Sequence, residues 1–148
     1  MSTLSLKKTN RFTINNISKD MKIILKKKMD KKYFDLSIKN LNDSAPIHKS
    51  DQWAQRLGLK KKIFPGFAVT SPFSKLIGMY LPGKNCVIMN IDFKFKKPTF
   101  INDNLLYVCK VEKIVKSLNV VLLNLLVLRK KEIVVAGSSQ CKILQYNK

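Results

Sequence analysis

The chain has few of the residues on which much protein chemistry depends: one histidine, three cysteines and nine acidic residues among 148. A single histidine, His48, excludes a metal centre built on several imidazoles. Cys86, Cys109 and Cys141 lie far apart with no C-x-x-C pair, and an odd, dispersed set suits neither a disulfide framework nor a zinc site. They read as buried free thiols in a reducing compartment. Long apolar runs are missing too. The longest, residues 120–128, includes Asn124 and is far shorter than a membrane span. It reads as a strand buried on both faces, so a soluble protein with no membrane partner is expected. The shortage of acids leaves a net charge of +20. Such a field attracts nucleic acid, anionic membrane, or phosphate-bearing ligands such as coenzyme A and acyl carrier protein. A general bias toward lysine and asparagine would give the same composition, because lysine runs at 26–28, 31–32, 60–62 and 96–97 match no single motif.

Hydrophobic residues make up 45% of the chain, with eight Phe and four Tyr, which is enough for one folded domain of this length. Residues 1–17 carry Lys7, Lys8 and Arg11, and the first acid of the chain is Asp20. They read as a basic extension, either a targeting segment or a plain disordered arm, before a single domain at 18–148. The expected location is the cytoplasm, with the mitochondrial matrix as the alternative.

Residues 21–25 form a short strand pattern. Phe34, Ile38 and Leu41 then recur at helical spacing, with Asp30 at the helix start. Ser50 is placed to cap a short helix carrying Trp53 as a core residue, and Gly58 to end it in the left-handed conformation. Residues 67–80 are apolar on most sides, as in a helix buried within a sheet. After Gly83 the pattern is all strand, at 87–95, 104–116, 119–128 and 132–144, with gaps suited to antiparallel hairpins. The expected class is α+β, an antiparallel sheet wrapped around one central helix.

Chemistry concentrates in Asp43-Ser44-Ala45-Pro46-Ile47-His48, where a carboxylate and the only imidazole flank a proline. That pair can move protons near neutral pH, although by itself an Asp capping a helix beside a surface His would have the same spacing. The loop resembles the D-x-N-P-x-H signature of the MaoC-like (R)-specific enoyl-CoA hydratases. Further elements follow in register: Pro65-Gly66 opening the central helix, Ser71 five residues on, Leu81-Pro82-Gly83 at its end, then Phe93, Phe95, Pro98 and Asn102-Asp103. The resemblance runs over roughly residues 18–146.

It implies a hot-dog fold and hydration of trans-2-enoyl thioesters to (R)-3-hydroxyacyl thioesters, or the reverse. Asp43 and His48 are the implied catalytic residues, holding one water, and Gly66 and Ser71 the implied substrate contacts. No metal or other cofactor is implied. Partners would be an acyl-CoA or acyl-carrier-protein thioester and a second copy of the chain in a homodimer. Gly66 would let the acyl group approach the backbone, or would simply allow helix entry. Three positions depart from the pattern: Ala45 stands for asparagine, Pro65 for histidine, and Pro72 follows Ser71. Pro72 would kink a helix begun at Gly66, or start a new one with Ser71 as N-cap. The competing reading of the whole chain is a non-catalytic hot-dog subunit docking to RNA or an acidic partner.

Overall fold

The second half of the chain alternates apolar and polar residues, and in the computed structural model, which describes residues 2–145, it forms one continuous sheet. Strands β1 (Thr3–Leu4), β2 (Lys22–Lys28), β3 (Cys86–Phe95), β4 (Asn104–Val115), β5 (Val120–Arg129) and β6 (Glu132–Ile143) lie in the order β1-β2-β4-β5-β6-β3. All neighbours are antiparallel except β1 and β2. The helices are α1 (Lys31–Leu41), α2 (Pro46–Lys49), α3 (Asp51–Arg56), α4 (Gly66–Thr70) and α5 (Pro72–Lys75), and α5 runs on into a π-helical turn, Leu76–Tyr80. Ile23, Tyr107, Cys109, Val111, Leu123, Leu125 and Val127 line the inner face of the sheet and pack on Phe73, Leu76 and Ile77 of the central helix. This is the expected α+β plan. Burial of this apolar face is the main favourable term holding the sheet on the helix.

The central helix contains the expected proline problem and a local repair. Pro72 has no N–H, so the carbonyl of Ala68 loses its helical donor. It accepts instead from the Tyr33 hydroxyl at 2.8 Å and the Ser71 hydroxyl at 3.2 Å. One residue on, the Val69 carbonyl accepts from the buried Tyr107 hydroxyl at 2.8 Å. Burial pushes the Tyr107 phenol up from its ordinary pKa, which keeps it a donor. Ser71 itself is helical, at φ −55° and ψ −30°, and its side chain makes no cap hydrogen bond. The backbone therefore stays helical through Ser71, which does not cap a new helix at Pro72.

Several local expectations change. Trp53 is 45% exposed, because α3 is only six residues long and buries Ala54 alone. Along β5, Val121, Leu123, Leu125 and Val127 are buried, while Leu122, Asn124, Leu126 and Leu128 are only half-buried on the outer face. The apolar run thus marks a sheet with one covered face, not two. Residues 2–17 are packed: Ile17 is buried, Leu4, Leu6, Phe12 and Ile14 rest on the core, and the Asn10 amide donates to the Met79 carbonyl at 2.9 Å. The cysteines are free thiols, with Cys109 and Cys141 buried and Cys86 half-buried.

β3 is the sheet's edge. A bulge between Ile88 and Asn90 interrupts its strict alternation. Cys86, Ile88, Ile91, Phe93 and Phe95 consequently share the inner face with their partners Ile143, Cys141, Ser139, Gly137 and Val135. Val87, Ile88, Met89, Ile91 and Phe95 remain exposed.

Candidate functional site

Asp43 is positioned by the end of α1. Asp30 starts this helix, accepting the Tyr33 amide at 2.8 Å, and Asn42 ends it in the left-handed region at φ +50°. The Asp43 amide then returns to the Ile38 carbonyl, and its Oδ1 accepts the Ala45 amide at 3.0 Å. That side-chain turn fixes the carboxylate just before Pro46, the first residue of α2. The backbone amide of Ala45 braces the loop without any side-chain help from that position.

His48 sits on the single turn of α2 and is fixed from the other side. Its Nδ1 lies 2.8 Å from the Ile63 carbonyl. A carbonyl only accepts, so Nδ1 carries the proton, and in the neutral ring Nε2 presents a lone pair. Nε2 is 3.5 Å from Asp43 Oδ2, with the two side chains 12% and 33% exposed, respectively. The Ile63 carbonyl is itself held by neighbours. Phe64 is buried edge-on against Phe34 of α1, with ring centroids 4.9 Å apart, and its amide donates to the Thr99 carbonyl at 2.9 Å. The hydrophobic face of α1 thus sets the imidazole through one intervening segment.

His48 opens into a cleft of about 400 Å³, lined also by Ile63, Phe64, Gly66, Val69, Phe95 and Thr99. Gly66 begins the central helix, and Pro65 before it supplies no side-chain cap. The first amides of a helix have no intrahelical acceptor, and the helix dipole favours negative charge there. What approaches Gly66 most closely in this structure is the Phe95 ring: a Cβ at position 66 would lie 2.9 Å from its Cζ. The far wall, 96–99, is pinned by Arg129, which donates to the Pro98 carbonyl at 3.0 Å and to Asp103 Oδ2 at 2.8 Å. Asn102, at φ +75°, makes the turn that lets Asp103 reach back to the Phe100 amide.

Of the four site residues expected from sequence, Asp43, His48 and Gly66 converge on this region. Ser71 does not line the cleft. Its hydroxyl lies 2.6 Å from the Tyr33 hydroxyl, in a separate cleft on another face of the helix. Sequence reading missed the Ile63 carbonyl, Phe95 and Thr99. A backbone carbonyl leaves no mark in composition, whereas Phe95 stood inside a quoted motif. Thr99 is 3% exposed, and its Oγ1 has no hydrogen-bond partner.

No family model matches the chain. An (R)-specific enoyl-CoA hydratase from Aeromonas caviae is 33% identical over 61 residues, a stretch covering 41% of this chain and 46% of that protein, less than half its length. The solved structure of the A. caviae (R)-hydratase involved in PHA biosynthesis superposes with a TM-score of 0.81 at 22% identity, covering 87% of this chain and 98% of that one. An unliganded R-hydratase from Pseudomonas aeruginosa gives 0.84 at 18% identity, covering 95% and 90%. A MaoC-like dehydratase from Rhodospirillum rubrum gives 0.76 at 13%, covering 93% and 99%. The chain therefore has the hot-dog fold of these hydratases and dehydratases, and in sequence it resembles the MaoC-like (R)-hydratases.

Proposed function

We propose that the chain hydrates trans-2-enoyl thioesters to (R)-3-hydroxyacyl thioesters, and catalyses the reverse dehydration. The observation that carries this reading is the arrangement of Asp43 and His48. Both Asp43 Oδ2 and the free Nε2 of His48 are acceptors, 3.5 Å apart. One water can donate a hydrogen bond to each and keep a lone pair for the substrate. As its oxygen closes on the β carbon, the pair takes one of its protons and delivers it to the α carbon, so one water is added and nothing else is consumed. Negative charge builds on the thioester oxygen meanwhile, and the uncapped amides at Gly66 are suited to receive it.

On this reading Ser71 acts through the helix rather than on substrate: with Tyr33 it satisfies the carbonyl that Pro72 leaves without a donor. The active form is a dimer of two copies paired across β3, whose exposed Ile88, Met89, Ile91 and Phe95 would be covered there. The curated relative is named for enoyl-CoA hydration, which supports an acyl-CoA substrate.

The test is direct. Purified protein added to crotonyl-CoA should remove the absorbance of the conjugated double bond and yield the (R)-3-hydroxy product. A protein that is folded and leaves crotonyl-CoA and longer enoyl-CoAs unchanged would contradict the proposal.

A further inference from the structure

The outer face of the sheet, turned away from the central helix, is apolar at its centre. Residues opposite one another in an antiparallel sheet share a face. Ile24, Val108, Leu126 and Ala136 form one row across β2, β4, β5 and β6. The next row holds Leu106, Leu128 and Ile133. All of these are half-buried except Ile133, which is 44% exposed. None of them is among the residues that form the core or rest on it. A sheet with one face in water normally carries polar residues on that face. Here the middles of β4 and β5 are apolar on both sides.

Lysines bound the block. Lys26 stands opposite Leu106, Lys94 ends the row that starts at Ile24, and Lys22 and Lys110 face each other in the row beyond it. Lys28 follows Lys26 on the same face. Lys26, Lys28 and Lys130 share with Leu106 and Leu128 the lining of a cleft of about 390 Å³. Lys110 pairs with Asp20 at 3.3 Å, whereas Lys22, Lys26, Lys28 and Lys94 are in no ion pair among the described residues. The one carboxylate in these rows, Asp92, lies at the β3 end and accepts the Ser138 hydroxyl.

Shape and charge together select the occupant. Four strands span about 14 Å and the two rows lie about 7 Å apart, which is the footprint of a few turns of one α-helix. A second copy of the chain would set lysine against lysine here. Its own outer face is equally basic, and its α1 exposes Lys31, Lys32 and Lys39, with Asp35 already paired to Lys31. Pairing of two copies along β3 would leave this face open. Nucleic acid would answer the lysines but not cover the aliphatic rows between them. We infer that the outer face docks a partner protein through an amphipathic α-helix whose apolar stripe is flanked by Asp and Glu. The inference does not depend on the hydratase reading.

The probe is a labelled peptide of about 18 residues, long enough to form a helix, with leucines at i, i+3, i+4 and i+7 and glutamates beside them. A scrambled peptide of the same composition has the same charge and no stripe. Fluorescence anisotropy at physiological ionic strength, where diffuse attraction to the basic chain is screened, gives the two affinities. The striped peptide should bind about tenfold more tightly or better. Val108→Thr/Leu126→Thr, which keeps strand-forming residues, should remove that preference. Leu57→Thr/Leu118→Thr, at exposed leucines off these rows, should keep it. Lys26→Glu/Lys28→Glu should weaken the striped peptide by about tenfold. Lys84→Glu/Lys116→Glu makes the same change in net charge near the other end of the strands and should alter binding by no more than about twofold. All four lysines are exposed, so this comparison stands even if the threonine pair fails to fold. Equal binding of the two peptides, or equal losses in the two lysine pairs, would overturn the inference. So would binding to phosphatidylglycerol vesicles without binding to the striped peptide, which would assign the face to a membrane. A sedimentation mass above twice that of the chain, lowered by Leu126→Thr, would assign it to a second copy instead.

Discussion

Thr99 shows how one residue tests the description of the cleft wall. Its hydroxyl is buried without a partner, which costs free energy that an apolar group of the same shape does not. Thr99→Val should therefore be neutral or stabilising by about 1 kcal/mol, read as a rise in the denaturation midpoint. A clear loss of stability would mean that the hydroxyl has a partner in solution. The two residues proposed for catalysis were legible because one of them is rare: with one histidine in the chain, any carboxylate beside it stood out. What sequence could not supply was the group on the other side of His48. The Ile63 carbonyl that sets its tautomer is a backbone atom, delivered by Phe64 packing on Phe34. Trp53 was misread for a related reason, since helical spacing says which residues share a face but not whether a six-residue helix has that face covered.

The central helix was legible as an element, and the hydrogen bonds that repair it at Pro72 were not. Pro72 predicted a break; the two tyrosine hydroxyls that take over for the missing donors come from α1 and β4, far away in sequence. This repair makes a sharp prediction. Tyr33→Phe should cost about 1 kcal/mol, the usual worth of one such hydrogen bond. In a Pro72→Ala background the new amide can donate to the Ala68 carbonyl, and the cost of Tyr33→Phe should fall to a few tenths of that. Denaturant unfolding of the two single variants and the double one gives the coupling directly. Additive effects would show that Tyr33 does not stand in for the proline amide. β3 teaches the same lesson for strands: its alternation was visible, but the bulge at Met89 reassigns which upstream residues face inward.

At the scale of the whole molecule, the sheet has one covered face and one apolar edge. The pattern 87–95 read as a strand, and the isolated sequence does not say that β3 is last in the sheet. An edge strand with exposed Ile88, Met89 and Ile91 calls for a partner, and a second copy can pair along it. Sedimentation should give twice the chain mass at micromolar concentration. Ile91→Lys should shift the protein to monomer, because the new charge would have to be buried at the interface. A monomeric wild type, or a dimer that ignores this substitution, would place the contact elsewhere. The charge of +20 was obvious from composition, but which faces carry it was not, since only the fold puts Lys26 and Lys28 on one face of β2 and Lys27 on the other.

The central claim is that Asp43 and His48 work as one unit on one water. It is tested most directly by the crotonyl-CoA hydration rates of Asp43→Asn, His48→Ala and the double variant, each confirmed folded by circular dichroism. Each single change should lower the rate by about 10²–10⁴. The double variant should lose little more than the worse single one, because either loss already releases the water. A folded Asp43→Asn or His48→Ala that keeps near wild-type rate would contradict the account, as would losses that simply multiply.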